Sequence, residues 1–246
     1  MKKKISIVIP VFNEEENLRE FYTRLTKVMS ECIYDYDIIF VDDGSRDASA
    51  AILYDLSQSD EHVQAYLLSR NFGHQMALTC GLDHAEGDAV ITMDGDLQHP
   101  PELLPELISL WEEGYEIVQT VRKDTADASY FKKLTSSAYY KLINKMSKVR
   151  ITPGGSDFRL MDRVAVDALK LYNERARFIR GIVNNLGFKL KTVEFIAPPR
   201  FAGQSKYNLH KMLHFALDGI TAFSNVPLRW AFYAGLFFGF GSMVVL

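Results

Sequence analysis

Apolar and polar positions fall into two alternating patterns along the first half of the chain. Ile5-Ser6-Ile7-Val8-Ile9 is a short, almost continuous apolar run ended by Pro10, the pattern of a strand covered on both faces. Leu18, Phe21, Tyr22, Leu25, Val28 and Met29 then recur at helical spacing and predict an amphipathic helix. The two patterns repeat, predicting further strands over Asp37–Val41, Val63–Leu68, Ala89–Met93 and Ile117–Val121. Between them, helices are predicted over Ala48–Leu56, Gln75–His84 and Pro100–Trp111, the last opened by prolines that the first helical turn tolerates. Strand and helix in alternation predict an α/β domain, a mostly parallel sheet flanked by helices.

The second half reads differently. Tyr130–Lys148 is expected to form a long amphipathic helix, with Phe131, Leu134, Leu142, Ile143 and Met146 opposed by Lys132, Lys133, Lys141, Lys145 and Lys148. That lysine face is either a solvated surface or a contact for anionic headgroups. Leu209–Phe223 is a second amphipathic candidate, just ahead of Pro227. Residues 231–246 carry no charge, and a bilayer-spanning helix needs about 20 such residues, so this run predicts a transmembrane helix cut short. The expected organisation is a catalytic domain over residues 1–207, a juxtamembrane interfacial segment over 208–230 and the start of a first transmembrane helix over 231–246. The apolar run behind Met1-Lys2-Lys3-Lys4 is too short for a signal peptide, so the N-terminus reads as the first strand of a cytoplasmic domain.

Composition narrows the function classes. With 48% hydrophobic and 24% charged residues the chain is globular, and a net charge of -3 argues against a general nucleic-acid binder. Cys32 and Cys80 read as two buried thiols of a reducing compartment, with neither a disulfide framework nor a zinc site.

In parallel α/β sheets ligands bind beyond the carboxyl ends of the strands. Those ends are Pro10–Glu14, Asp42–Ser45, Ser69–His74, Asp94–Gln98 and Arg122, and nearly all the polar chemistry of the first half lies there. Asp94 and Asp96, separated only by Gly95, would repel each other unless a cation lay between them. Magnesium-like ions take oxygen ligands, typically one or two carboxylates plus substrate phosphates, and Gly95 allows close backbone approach. Asp42-Asp43-Gly44-Ser45 can form a turn in which Ser45 or Asp47 caps the next helix, and Asp43 can also bind a ribose hydroxyl or base edge. Neither a Gly-x-Gly-x-x-Gly fingerprint nor a P-loop follows the first strand, which argues against NAD enzymes and P-loop ATPases.

Val8-Ile9-Pro10-Val11-Phe12-Asn13-Glu14, Val41-Asp42-Asp43-Gly44-Ser45, Arg70-Asn71-Phe72-Gly73 and Met93-Asp94-Gly95-Asp96-Leu97-Gln98 together resemble the family 2 glycosyltransferases of GT-A fold. Gly155-Ser156-Asp157-Phe158-Arg159-Leu160 and Arg200-Phe201-Ala202-Gly203-Gln204-Ser205-Lys206-Tyr207 extend the resemblance along the whole chain, to the polyprenyl-phosphate branch that includes bactoprenol glucosyltransferases and dolichol-phosphate mannose synthases. The resemblance implies that Pro10, Phe12, Glu14, Val41 and Asp43 line the base and ribose of a nucleotide-sugar donor. It implies that Asp94, Gln98 and chiefly Asp96 hold Mg²⁺ or Mn²⁺ against the diphosphate. Arg122, Arg200 and Lys206, with Ser205, would contact phosphates of donor or acceptor. Gly95 stands where many relatives have alanine.

The implied reaction is inverting transfer of a hexose, glucose from UDP-glucose in the first instance, to undecaprenyl phosphate or a similar polyprenyl phosphate. It would run at the cytoplasmic face of the cell (inner) membrane, in a tetramer. GDP-mannose with dolichol phosphate, or another UDP-sugar, is the alternative. Asp157 is the further catalytic candidate, as a base, an acceptor-positioning group or a stabiliser of the oxocarbenium-like centre; otherwise it caps the segment Phe158–Asp162. A processive synthase would need Gln-x-x-Arg-Trp, and the only Arg-Trp, Arg229-Trp230, follows Val226-Pro227-Leu228. A soluble nucleotidyltransferase would not need the terminal apolar run. A non-catalytic membrane module would not need two aspartate motifs and a basic loop.

Overall fold

Seven strands form one sheet in the order β3-β2-β1-β4-β6-β5-β7. A computed structural model of the protein describes residues 2–123, 155–172, 179–196, 198 and 232–236. The chain divides into two units, Met1–Asp127 with Gly154–Gln204, and Ala128–Pro153 with Ser205–Leu246. The sheet belongs to the first. In chain order it is built from β1 (Lys4–Val11), α1 (Leu18–Ser30), β2 (Asp35–Asp42), α2 (Ser49–Ser59), β3 (Val63–Leu67), α3 (His74–His84) and β4 (Ala89–Thr92). A 3₁₀ turn (Pro101–Leu103), α4 (Leu104–Glu112) and β5 (Ile117–Arg122) follow, then β6 (Gly155–Asp162), α5 (Arg163–Lys170), α6 (Ile179–Asn185) and β7 (Leu190–Phe195).

The apolar run of β1 is continuous because both of its faces are covered. Ile5, Ile7, Ile9 and Val11 join Leu18, Phe21, Leu25 and Met29 of α1 in one core cluster, where Phe21 meets Phe40 edge-on at 6.4 Å. Each such side chain contributes about 1.5–3 kcal/mol by leaving water. On the opposite face α3 lies so near that a Cβ on Gly81 would stand 2.2 Å from Val8 Cγ1. The strand does not stop at Pro10, as its ring suggests, but runs on to Val11. Pro10 lies past Val8–Thr92, the last β1–β4 pair, so its missing N–H interrupts no bond to β4.

The predicted helix over Pro100–Trp111 opens as the 3₁₀ turn and becomes α-helical only from Leu104, since Pro100, Pro101 and Pro105 remove donors from its first turns. The sequence pattern did not predict β6 and β7. Both are present, and β6 decides the shape of the site. It is antiparallel to β4 and to β5, while the other strands run parallel, so its first residues lie where its neighbours end. Thr92 pairs with Arg159, and extending that register by two residues sets Asp94 against Asp157. Asp157 therefore sits inside a strand and caps nothing; Asp162 caps α5, accepting from Val164 N–H at 3.0 Å. Cys32 and Cys80 are free and only half-buried, contrary to the expectation of two buried thiols.

Among the described residues no helix is long and apolar enough to cross a membrane. The helices expected over Tyr130–Lys148 and Leu209–Phe223 lie outside the described residues, as do Arg200, Ser205 and Lys206. Of the terminal apolar run, residues 232–236 are described; they are helical and leave Phe232, Tyr233 and Leu236 exposed.

Gly44 has φ +69° and its Cβ position lies 2.5 Å from the Arg70 carbonyl carbon, whereas a Cβ on Gly95 would meet only Ile9 Cγ2, at 3.3 Å. Gly44→Ala is expected to cost more than about 1 kcal/mol and to lower the thermal midpoint by at least about 3 °C. Gly95→Ala should leave the midpoint within about 1 °C, the scale of a surface substitution. Calorimetry on the two variants checks both.

Candidate active site

The loop after β4 begins with Met93, whose N–H still donates to Val8 O (3.1 Å). From there burial alternates: Asp94, Asp96 and Gln98 are half-buried, while Gly95, Leu97 and His99 are buried. Two carboxylates and an amide oxygen thus share the open side of one loop. Leu97 adopts φ +61°, an uncommon conformation for a branched residue, with its side chain buried. Gln98 N–H donates to Asp96 Oδ1 (3.1 Å), and Arg122 Nη1, at the end of β5, lies 3.4 Å from Gln98 Oε1.

This donor set suits a hard divalent ion that is completed by a ligand. All three groups offer oxygen, and among the described residues no cluster of three or more His, Cys, Asp or Glu could hold an ion by itself. Asp94 and Asp96 would supply the protein's charge. Gln98 could join them only by turning from Arg122.

Opposite this loop stands a buried ionic cluster. Asp157 is 2% exposed and accepts from Arg159 Nη2 (2.8 Å), Arg180 Nε (3.0 Å) and Arg180 Nη2 (2.8 Å). His74 Nε2 lies 3.4 Å from Asp157 and 3.6 Å from Asp94, so one ring touches both sides of the site. Burial would raise the Asp157 pKa, but Arg180 first, with His74 and Arg159, holds it well below the usual carboxylate range. Burial draws Arg159 down to about 10, still charged at neutral pH. Desolvation would lower His74, but Asp94 and then Asp157 raise it to about 9. Thr92 Oγ1 donates to the Asp157 carbonyl (2.5 Å), and Gln119 Nε2 to the Ser156 carbonyl (2.5 Å), which fixes the start of β6.

The loops after β1, β2 and β3 are stitched together beside these groups. Asn13 N–H donates to Ser45 Oγ (2.9 Å), Glu14 N–H to Ser49 Oγ (2.9 Å) and Arg46 N–H to Asn13 Oδ1 (2.8 Å). Asn13 has φ +52°, which its side-chain bond helps to hold. Pro10 and Val41 are paired and buried at the ends of β1 and β2, with Phe12 and Glu14 half-buried just beyond. Asp43 is 2% exposed, and its two oxygens accept from Phe72 N–H (2.6 Å) and Gly73 N–H (2.9 Å). Its carboxylate thus organises the loop after β3 whether or not it also meets a ribose. Neither Ser45 nor Asp47 is the N-cap of α2, which is Ala48 without a side-chain cap bond; Asp47, one residue earlier, accepts from Ser49 N–H (3.0 Å), and Ser45 serves Asn13.

Residues 6–170 match the family described as Glycosyl transferase family 2. The chain belongs to this family. It is 46% identical over 231 residues to the uncharacterized glycosyltransferase YkcC of Bacillus subtilis (strain 168), covering 94% of this chain and 72% of that protein. It is 44% identical over 234 residues to the bactoprenol glucosyl transferase of Shigella phage SfV, covering 95% of this chain and 76% of that one. Among solved structures, glucosyl-3-phosphoglycerate synthase from Mycobacterium tuberculosis, in complex with Mn²⁺, UDP and glucosyl-3-phosphoglycerate, aligns with a TM-score of 0.59. That match has 16% identity and covers 89% of this chain and 77% of the other, which establishes the fold. The protein is a family 2 glycosyltransferase of GT-A fold.

In this glycosyltransferase the predicted residues Asp94, Asp96, Gln98 and Arg122 come together around one loop, and His74 links that loop to Asp157. Sequence reasoning assigned no role to His74, His99, Arg159 or Arg180. Arg159 was open to it, since residues two apart on a strand share a face with Asp157. Arg180, twenty-three residues beyond Asp157 on another element, left no local signal.

The Asp157 cluster sets a pH dependence of stability. A carboxylate whose native pKa is lowered adds stability that is full above its unfolded value of about 4 and is lost progressively as pH falls from there through the native value. Asp157→Asn removes that proton uptake. Urea unfolding between about pH 5 and 3 should therefore show a shallower loss of stability in the variant than in the parent protein, by up to ~1.4 kcal/mol per pH unit; equal slopes would refute the assignment.

Proposed function

We propose that the protein transfers glucose from UDP-glucose to a polyprenyl phosphate such as undecaprenyl phosphate, with inversion, at the cytoplasmic face of the cell membrane. The observation that carries this reading is the pairing of an acidic, oxygen-only loop (Asp94, Asp96, Gln98) with a facing cluster of two arginines around Asp157. It is supported by the likeness to a bactoprenol glucosyl transferase over 95% of the chain. The exposed Phe232, Tyr233 and Leu236 favour a membrane-facing second unit.

Mg²⁺ or Mn²⁺ held by Asp94 and Asp96 would offset charge on the departing nucleoside diphosphate. Pro10, Phe12, Glu14, Val41 and Asp43 would line the nucleotide, and Arg122 would reach its phosphates. An oxygen of the acceptor phosphate attacks the anomeric carbon opposite the diphosphate, the new C–O bond forming as the old one breaks. A phosphate is already anionic and needs no base. Asp157 is poorly suited to be one, since Arg159 and Arg180 occupy its oxygens and hold it ionised. Its role on this reading is to position Arg180 and His74 at the acceptor side. Arg200, Ser205 and Lys206 would complete the phosphate contacts, and a homo-oligomer is the expected assembly.

Transfer of labelled glucose from UDP-glucose to undecaprenyl phosphate with Mg²⁺ or Mn²⁺ tests the proposal, with GDP-mannose and lipid-free reactions as the other arms. Asp96→Asn should lower turnover at least about 100-fold with an unchanged circular dichroism spectrum. Arg200→Ala and Lys206→Ala should each weaken transfer by at least about tenfold. Parent-like turnover in Asp96→Asn, or product from GDP-mannose alone, would overturn it.

A further inference from the structure

His99 is a buried titratable side chain, 7% exposed, for which the mechanism above has no use. It lies against Phe158 with ring centroids 5.1 Å apart and meets the edge of Phe195 at 5.9 Å. That packing would suit any aromatic ring. Its two nitrogens are specific. Asp94 N–H, which can only donate, points at Nδ1 from 2.8 Å, so Nδ1 carries the lone pair. The proton of the neutral ring is then on Nε2, which donates to Ser156 Oγ at 2.7 Å. Ser156 Oγ also accepts from Phe158 N–H (3.2 Å), and its carbonyl accepts from Gln119 Nε2 and from Arg159 Nη2 (2.9 Å), so the anchor is itself fixed.

This tautomer has a consequence for Asp94. Nδ1 also lies 3.6 Å from Asp94 Oδ2, a separation that suggests an ion pair. With its lone pair already taken by the backbone N–H, Nδ1 has no proton to give that oxygen. His99 holds the Asp94 backbone and leaves the carboxylate unclaimed from this side. The other tautomer, with its proton on Nδ1, would turn that proton toward the Asp94 carboxylate and lose the bond from Asp94 N–H.

We propose that His99 is a positioning residue: in its Nε2–H form it ties the loop of Asp94 and Asp96 to β6 through Ser156 and thereby sets the aim of the ion-binding carboxylates. The proposal rests on the reading of Asp94 and Asp96 as ion ligands, and its test separates the two. Mn²⁺ affinity is measured by electron paramagnetic resonance in the presence of UDP, on the full chain. His99→Phe keeps an aromatic ring against Phe158 and Phe195 but removes both nitrogens. His99→Asn places an amide oxygen near Nδ1 and restores the acceptor.

The expected result is a rise of at least tenfold in the Mn²⁺ Kd for His99→Phe, with His99→Asn between about threefold and tenfold, because it keeps an acceptor for Asp94 N–H but loses the bond to Ser156. In turnover, His99→Phe should raise the KM for Mn²⁺ while kcat at saturating Mn²⁺ changes little, a split that general loss of structure would not give. Should His99→Phe fail to fold, Ser156→Ala, which frees Nε2 alone, is expected to raise the Kd at least threefold. Parent-like affinity in a folded His99→Phe, or in Ser156→Ala where that variant must serve, overturns the role of His99. Absence of UDP-dependent Mn²⁺ binding in the parent protein overturns the ion-site reading instead.

Discussion

A carboxylate removed from water must be held by charges placed before it arrives, and in this fold the reversal of β6 places them. Because β6 runs against β4 and β5, Asp157 enters the sheet at the edge where the parallel strands end, with Arg159 two residues on and on the same face. Arg180 closes the pair from α6. A buried ion pair of this kind is weak evidence for stability, because desolvation consumes much of the Coulomb gain. Hydrophobic residues of similar volume would fill the space at lower cost. Arg159, 1% exposed, also keeps Nε and Nη1 without a hydrogen-bond partner among the described residues. A guanidinium with spare buried donors is explained by the charge it brings, not by the packing it provides.

The same edge is where the backbone departs from common conformations. Both non-glycine residues with positive φ among those described, Asn13 and Leu97, stand at strand ends that form the site. Such strain persists only where neighbours over-determine it. Asn13 is held by bonds to the loop after β2, and Leu97 by a buried side chain. The turn at Leu97 lets Asp96 and Gln98 share the open side of the loop with Asp94. Apolar packing on one face thus sets the geometry of oxygen donors on the other.

The strands and helices from β1 to β5 were legible because each buries a contiguous apolar set, and the strand ends then named the site. β6 was not legible as a strand, for a physical reason. Ser156, Asp157 and Arg159 interrupt its apolar pattern, yet the strand is buried from Ser156 to Met161. Polar residues are tolerated there only because their partners come from β5, α6 and His99, the last of them 57 residues away from Ser156. β7 is an edge strand whose Lys191, Thr192 and Glu194 are exposed, so it carries little hydrophobic signal of its own. Asp94 and Asp96 could be singled out because adjacent like charges demand a local explanation. Arg180 could not, since its bonds to Asp157 reach across from another element, twenty-three residues away.

His74 shows how the two halves constrain each other. It opens α3, and its ring stands between Asp94 on the acidic loop and Asp157 in the arginine cluster. Two carboxylates at that separation would repel each other across the site, and the cationic ring between them offsets part of the repulsion. On the proposed reading, an ion in the loop would answer the charge of Asp94 from the other side and leave His74 to Asp157 and to an anion approaching the arginines. An acceptor that carries its own negative charge fits that arrangement without proton transfer. A neutral sugar hydroxyl would need a base, and Asp157, the carboxylate of that cluster among the described residues, is already held ionised by two guanidinium groups. On the proposed reading, the electrostatics of the cluster would therefore discriminate between acceptor classes by charge, before any contact with the rest of the acceptor is considered.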